Sequence, residues 1–209
     1  MARLVTGAPL PVEWGVAARS LPGQTTSGDR HVVQSFSNGI LIAVVDGLGH
    51  GDEAAEAARI AATTLETFAS EAIISLVKRC HEALRRTRGA VLSLASFDIQ
   101  NSMMHWLGVG NVEGVLVRAD LQAKPAHEAV LLRGGVVGGT LPALREARLP
   151  VSQGDILIFA TDGIRSGFLE GLVLIGSPQT IVGQILCQNS RGTDDALVLV
   201  ARYLGGALE

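Results

Sequence analysis

The stretch "VVDGLGHGDEAAEAARIAATTLE", residues 44–66, contains the transition that decides the fold. It begins with an apolar pair and a carboxylate, Asp46, passes through three glycines around His50, and continues as an alanine-rich segment. Asp52 stands where a helix-capping residue is expected. Apolar residues then recur with the spacing of one α-helical face. These residues are Ala54, Ala57, Ala58, Ala61, Leu65 and Phe68. The stretch therefore predicts a buried strand that ends at Asp46, a glycine-rich turn and an amphipathic helix.

Length and composition indicate an ordinary globular chain. Its 209 residues fit a single domain, residues 1–209, and 47% of them are hydrophobic while only 4% are aromatic. The net charge of −3 comes without a basic block, which argues against nucleic acid as a partner. Cys80 and Cys187 form no CxxC motif and are predicted to be buried thiols in a cytoplasmic protein.

The chain contains no pattern typical of export or of membrane insertion. The N-terminal segment "MARLVTGAPLPVEWG" lacks the apolar core of a signal peptide, and no apolar run reaches the ~20 residues that span a bilayer. No exposed heptad or long apolar edge demands a second copy, so a monomer is expected. The length of one domain and the lack of a spanning apolar run predict no sensor or transmembrane domain.

Around the opening stretch, short strand patterns dominate. A strand is predicted at residues 12–20, followed by a turn-rich loop, and the segments 30–36 and 39–46 form a hairpin in which Asn38 and Gly39 supply the turn. Helices are predicted at residues 71–86 and after Ser177, with Pro178 in the first helical position. Further strand patterns occupy the middle and the end of the chain. The predicted fold class is α+β, a four-layer α-β-β-α sandwich of two antiparallel sheets flanked by helices.

Acidic residues recur where buried strands begin or end. Asp46 in "VVDG" and Asp162 in "FATDGI" each follow a strand and precede a glycine, whereas Asp194 and Asp195 in "RGTDDALVLV" precede a strand. Taken singly, each Asp-Gly pair is also a common turn. Asp29 opens the strand that pairs with the one ending at Asp46, so hairpin pairing would bring these two acids to the same end.

Carboxylates that converge from separate strands repel one another unless a cation lies between them. Ligand sets made only of oxygen favour Mg²⁺ or Mn²⁺ over zinc. The five histidines show no HxH or HExxH spacing, which agrees with this preference. The acid pattern therefore predicts a divalent-metal site.

Four motifs together resemble a known family. They are "SGD" at residues 27–29, "DGLGHG" at residues 46–51, "TDG" at residues 161–163 and "TDDALVLV" at residues 193–200. Their types and order are similar to those of the PPM (type 2C) metal-dependent serine/threonine protein phosphatases, and within them the sporulation stage II E-like branch. The compact length is most similar to a stand-alone phosphatase of the stressosome pathway.

This resemblance implies a site with two Mn²⁺ or Mg²⁺ ions. Asp46 would bridge both ions, and the backbone carbonyl of Gly47 would bind one of them. Asp162 and Asp194 would complete the shell of the other ion. Asp29 matches an acid near the second ion and would act through a water. The two ions would activate a water for in-line attack on a phosphate monoester, without a phosphoenzyme.

Several positions carry alternatives or departures. Asp195 aligns with a position that is often Asn, so Asp194 is preferred to it as the ligand. His50 is a candidate general acid, but it also fits a structural role in the Gly-His-Gly turn. The family's Gly-Asp motif appears here as Gly110-Asn111. Arg19 is a candidate contact for the substrate phosphate, and an exposed arginine paired only with solvent or a carboxylate is the common outcome for such a strand-end residue.

The leading hypothesis is a phosphatase that acts on phosphoserine or phosphothreonine. The resemblance implies partners among stressosome scaffold proteins of the anti-sigma-factor antagonist type, with the effect of resetting a stress response. The alternative from another class is a non-catalytic, metal-stabilised module that binds phosphoproteins. A nucleotide-binding fold built on "DGLGHG" is a third hypothesis, but the segment lacks the GxGxxG order and a Walker lysine.

Overall fold

A computed structural model describes residues 11–129 and 131–205 of the chain. The N-terminal segment considered for export lies mostly outside these residues. The strands, in chain order, are β1 (Val12–Arg19), β2 (Asp29–Phe36), β3 (Gly39–Gly47), β4 (Ala90–Asp98), β5 (Met103–Val109), β6 (Glu113–Val117), β7 (His127–Ala129), β8 (Ala147–Pro150), β9 (Ile156–Ala160) and β10 (Ala196–Tyr203). The helices are α1 (Asp52–Thr67), α2 (Ile73–Leu84) and α3 (Pro178–Asn189).

The strands form two antiparallel sheets of five strands each. One sheet has the order β1-β10-β9-β6-β7, and the other has the order β2-β3-β4-β5-β8. Helices α1 and α2 cover the outer face of the second sheet, and α3 covers the outer face of the first. The predicted α-β-β-α sandwich is confirmed.

Three hydrophobic layers explain why the central strands are apolar on both faces. In β3, Ile40, Ile42 and Val44 pack between the two sheets, while the alternate residues pack against the helices. The buried positions of β10 divide in the same way between the sheet interface and α3. An aliphatic run with no polar alternation therefore identifies a strand that is covered on both sides.

Helix α1 begins differently from the prediction. Its N-cap is Gly51, which has a positive φ of 79° and no capping side chain, and Asp52 is the first helical residue. Asp52 instead accepts a hydrogen bond from the hydroxyl of Thr26 at 3.1 Å. Its charge in the first turn still complements the positive end of the helix. The predicted cap of α3 is confirmed, because the Ser177 side chain accepts from Thr180 N–H and Pro178 follows it.

The β2–β3 hairpin turns one residue earlier than predicted. Phe36 pairs with Gly39, so the two turn residues are Ser37 and Asn38. A Cβ built at Gly39 would lie 2.1 Å from the carbonyl oxygen of Phe97, so this glycine serves close packing at the start of β3. The resulting register places Asp29 directly opposite Asp46.

Two further expectations have different outcomes. Cys80 is buried as predicted, but Cys187 is exposed, because it lies on the face of α3 that does not pack on the sheet. None of the described helices combines the length and the hydrophobicity that crossing a bilayer requires.

Candidate metal centre

Asp29 and Asp46 form the inner part of an acidic site. They are opposite each other at the adjoining ends of β2 and β3. Burial is the main reason why the pKa of Asp46 is raised to about 8, and the charges of Asp29, Asp162 and Asp194 raise it further. Burial likewise raises the pKa of Asp29 to about 7, against a hydrogen bond that lowers it. Two carboxylates in this setting favour either protons or a cation.

Asp162 and Asp194 reach the same end of the sandwich from the other sheet. Asp162 follows β9, and Asp194 lies just before β10. These strands are antiparallel neighbours, with Ala160 opposite Val198, so the end of one lies beside the start of the other. The charges of both acids raise the pKa of Asp46. The fold therefore brings together Asp29, Asp46, Asp162 and Asp194, which come from four separate motifs of the sequence.

Thr161 links the two halves of this site, and the motif analysis gave it no role. Its buried hydroxyl donates to Asp29 Oδ2 at 2.8 Å and accepts the backbone N–H of Leu197 at 2.8 Å. This arrangement ties the start of β2 to β9 and β10 across the sheet interface. The signal available in the sequence was the threonine before Asp-Gly, a polar residue at the end of an apolar strand.

Two glycines allow the acidic segments to approach closely. A Cβ built at Gly47 would lie 2.0 Å from the carbonyl oxygen of Ala54, and one at Gly163 would lie 2.0 Å from that of Asp195. Contacts this short exclude any side chain. The glycine after Asp46 therefore lets α1 pack against the end of β3, and the glycine after Asp162 lets the β9 end pack against the start of β10.

Asn111 and Arg191 surround the outermost acid, Asp162. Burial and the charge of Asp194 raise the pKa of Asp162, whereas the Asn111 amide and the Arg191 guanidinium lower it. Asn111 Nδ2 donates to Asp162 Oδ2 at 2.8 Å. Arg191 is held beside the same loop, because its backbone N–H donates to the Gly163 carbonyl at 2.8 Å. The Gly-Asn departure from the family motif thus places a neutral donor against a carboxylate of the site.

Asp195 has a different environment from its neighbour Asp194. Its side chain is only 4% exposed, and its two oxygens accept the backbone N–H groups of Leu21 and Gly28 at 2.7 and 2.6 Å. Asp194 is partly exposed, and its Oδ1 accepts the backbone N–H of Asp195 at 2.8 Å. Both Asp195 oxygens are therefore already hydrogen-bonded to the backbone, which favours Asp194 as the residue available to a cation.

His50 and Arg19 lie at the margin of the site. His50 is exposed in the turn before α1, and its Nδ1 is 2.8 Å from Nε2 of Gln24. Arg19 is exposed at the end of β1, opposite Ala196, and its guanidinium makes no ion pair within the described part of the chain. Neither side chain makes a hydrogen bond to the four acids in the described residues.

The donor set fits Mg²⁺ or Mn²⁺, although the acids do not form a finished coordination shell. In residues 11–129 and 131–205, no three His, Cys, Asp or Glu side chains are already arranged around a common metal position. The hydrogen bonds of Thr161 to Asp29 and of Asn111 to Asp162 hold two of the carboxylates. Burial first, and then the charges of the neighbouring acids, nevertheless raise the pKa of Asp46, and a divalent cation with oxygen ligands would neutralise a carboxylate in this setting.

Comparisons with solved structures identify the same architecture in other proteins. A stressosome structure, described as a modular system adapted to control secondary messenger signalling, is 30% identical with a TM-score of 0.83, over 91% of this chain and 99% of the other. A crystal structure of RsbX in complex with magnesium has a TM-score of 0.80 at 22% identity, over 91% and 94% of the two chains. At 22% identity, the likeness to the RsbX structure shows a shared fold.

Sequence comparison agrees with the motif analysis. The chain is 27% identical to the phosphoserine phosphatase RsbX of Bacillus subtilis (strain 168) over 144 residues, which is 68% of this chain and 69% of RsbX. The profile of stage II sporulation protein E matches residues 37–171, a segment that includes Asp46, Gly47 and Asp162. Since this segment makes up more than half of the chain, the resemblance is confirmed, and the protein belongs to the stage II sporulation protein E (SpoIIE) family.

Proposed function

We propose that this protein is a metal-dependent phosphatase that hydrolyses phosphoserine or phosphothreonine in regulatory proteins. The observation that carries the proposal is the meeting of Asp29, Asp46, Asp162 and Asp194 at one end of the sandwich, in a chain of the SpoIIE family. Its similarity to the phosphoserine phosphatase RsbX supports this activity.

The acids have separate roles in the proposed site. Asp46 would bridge two Mn²⁺ or Mg²⁺ ions, the Gly47 carbonyl would bind one of them, and Asp162 and Asp194 would bind the other. Asp29 would act through a water. When bound, the ions would supply Lewis acidity and a water of lowered pKa for attack on phosphorus.

The chain's own residues prepare the site for this chemistry. Thr161 keeps the Asp29 carboxylate oriented through a 2.8 Å hydrogen bond, and Asn111 does the same for Asp162. Arg19, at the same end of the sheet as Asp195, would contact the substrate phosphate with its planar guanidinium. The contact of His50 with Gln24 supports a role in holding the turn rather than protonation of the leaving group.

The proposed substrates are phosphorylated scaffold proteins of a stressosome. The likeness to RsbX and to a stressosome structure supports this class, in which dephosphorylation would reset a stress response. The expectation of a cytoplasmic monomer belongs to the same proposal, and cell fractionation and light scattering would test it.

Hydrolysis of p-nitrophenyl phosphate with and without Mn²⁺ tests the activity. We expect turnover that requires the metal and disappears on chelation. The variant Asp46→Asn should lose more than about 100-fold in kcat while remaining folded, because it removes the charge between the two ions. A folded wild-type protein that binds Mn²⁺ and a phosphopeptide but shows no turnover would favour the phosphoprotein-binding module instead.

A further inference from the structure

The β2–β3 ladder is interrupted where it reaches the metal centre. Asp29 pairs with Asp46, so the next pair in this register is Gly28 with Gly47. The Gly47 N–H donates to the Gly28 carbonyl at 3.0 Å, as the register requires. In a hydrogen-bonded antiparallel pair, the reciprocal bond runs from the Gly28 N–H to the Gly47 carbonyl. Here the Gly28 N–H donates to Asp195 Oδ2 at 2.6 Å instead.

The strand on the other side of Gly47 does not supply a replacement donor. Gly47 is opposite Ala90 in β4, but this is a non-hydrogen-bonded pair, because the Leu48 N–H of the next pair donates to the Gly89 carbonyl at 3.0 Å. The Ala90 N–H points away from Gly47 and donates to the Val137 carbonyl at 2.9 Å. Among the described residues, the two strand neighbours of Gly47 thus both direct their N–H groups elsewhere. The Gly47 carbonyl is left without the ladder bond that would normally satisfy it.

The geometry around Gly28 places the competing oxygens side by side. A Cβ built at Gly28 would lie 3.3 Å from the Gly47 carbonyl oxygen and 3.4 Å from Asp195 Oδ2. The second oxygen of Asp195 accepts the Leu21 N–H at 2.7 Å, which anchors the loop between β1 and β2 in this arrangement. The buried carboxylate therefore fixes both the loop and the direction of the Gly28 N–H.

We propose that Asp195 is a positioning residue that withdraws the Gly28 N–H from the β2–β3 ladder and so keeps the Gly47 carbonyl available as a cation ligand. The inference rests on the proposed function, because the cation is the one assigned to that centre. Of the two adjacent acids, Asp194 is the one that binds the cation directly, and Asp195 acts through the backbone.

Calorimetric titration with Mn²⁺ tests this role without using activity. Asp195→Ala should raise the Kd for Mn²⁺ by about 10- to 100-fold, the range found when groups that orient metal ligands are removed. Asp195→Asn should have a smaller effect, because its amide oxygen can still accept one of the two N–H bonds. Only the other bond is lost, since the NH₂ group faces that donor. A wild-type Kd in Asp195→Ala would overturn the proposal.

Asp155→Asn is the matched control. Asp155 is also a buried carboxylate that accepts two backbone N–H groups, from Ala119 at 2.8 Å and Ser152 at 3.0 Å, but it contacts Arg118 rather than the acidic site. This variant should lose stability and keep the wild-type Kd for Mn²⁺. An equal loss of Mn²⁺ affinity in Asp155→Asn and Asp195→Asn would show that general destabilisation, and not the position of Asp195, weakens metal binding.

A measurement on the unmodified protein remains informative if the alanine variant does not fold. The amide proton resonances of Leu21 and Gly28 should stay at low field when Mg²⁺ is added, because their bonds to Asp195 persist in the loaded protein. Loss of those shifts on Mg²⁺ binding would show that Asp195 moves onto the metal as a ligand, which contradicts a positioning role.

Failure of this inference differs from failure of the proposed function. If the wild type hydrolyses p-nitrophenyl phosphate with Mn²⁺ and Asp195→Ala keeps the wild-type Kd, the positioning role is wrong and the phosphatase activity stands. If Asp195→Ala weakens Mn²⁺ binding but the wild type shows no turnover, the positioning role stands and the activity is wrong.

Discussion

At the scale of single residues, the environment of each acid separates residues of the same chemical type. Asp194 and Asp195 are adjacent and identical in sequence, but Asp195 is buried with two backbone donors while Asp194 is partly exposed. Burial of a carboxylate is tolerated when hydrogen bonds replace water. The acids of the candidate site are therefore distinguished by their partners and not by their motif.

Thr161→Val should expose the role of the hydroxyl between Asp29 and β10. The change keeps the side-chain volume but leaves the buried Leu197 N–H without its acceptor at 2.8 Å. We expect a loss of about 1–3 kcal/mol in the free energy of unfolding. It also removes the bond that lowers the pKa of Asp29, so that pKa should rise further. Denaturant unfolding and carboxyl NMR titration measure the two effects; an unchanged Asp29 pKa would contradict this assignment.

His50→Ala tests whether the histidine protonates the leaving group. Since His50 contacts Gln24 in an exposed turn, we expect the pH profile of kcat to keep its shape and kcat to change less than about threefold. The loss of the basic or acidic limb of the profile in the variant would instead assign the proton transfer to His50.

At the scale of elements, the close packing of one backbone segment on another, and not local secondary-structure propensity, positions the acids. The segment carrying Gly163 packs so tightly on the start of β10 that a methyl group would lie 2.0 Å from the Asp195 carbonyl oxygen. A methyl group added at Gly47 would likewise lie 2.0 Å from the carbonyl oxygen of Ala54 in α1. The first contact joins the ends of β9 and β10 within one sheet, and the second holds α1 against the end of β3 in the other sheet. The hydrogen bonds of Thr161 to Asp29 and of Gly28 to Asp195 then link the two sheets, so the acids of distant motifs meet.

Gly163→Ala should therefore be strongly destabilising. The backbone of β10 must shift to admit the methyl group, and we expect a loss of about 1–3 kcal/mol or more together with weaker Mn²⁺ binding. Gly183→Ala is the matched control in α3, where an added Cβ meets nothing within 4 Å. There the change should raise stability by roughly 0.5–1 kcal/mol, through the higher helix propensity of alanine. Thermal unfolding of both variants tests the contrast, and equal effects would contradict it.

At the scale of the whole molecule, the two sheets act as a frame that concentrates negative charge at one end. Asp29 and Asp46 come from one sheet, and Asp162 and Asp194 come from loops of the other. Burial and mutual repulsion raise the pKa of Asp46 to about 8, far above the ordinary value of 3.8. The folded protein without metal therefore holds protons that the unfolded chain releases.

The pH dependence of stability follows from this difference. An acid whose pKa is raised by folding favours the folded state below the unfolded pKa, and this contribution is lost as the pH rises towards the folded value. With a chelator present, the Tm should thus fall between about pH 5 and about pH 8. Excess Mn²⁺ should raise the Tm more at the higher pH, since fewer protons compete for the carboxylates. A Tm that is independent of pH, or an equal effect of Mn²⁺ at both pH values, would contradict the charge assignment.

The sequence by itself determined the layers of the fold and the motifs of the site. The aliphatic run of β3 requires cover on both faces, the spacing from Ala54 to Leu65 requires a helix on one of them, and Asp46 stands where that strand leaves the core. These features depend on periodicity and burial, which are local properties of the chain.

Only the tertiary structure decided which polar groups meet. The hairpin register depends on Gly39, whose need for space comes from Phe97 on another strand, and a turn one residue later would have moved Asp29 away from Asp46. The partners of the Thr161 and Asp195 side chains lie more than 30 residues away in the chain, and the packing of α3 on β1 and β10 decides that Cys187 is exposed. Hydrogen bonds of this kind follow from packing between sheets, and no local pattern encodes them.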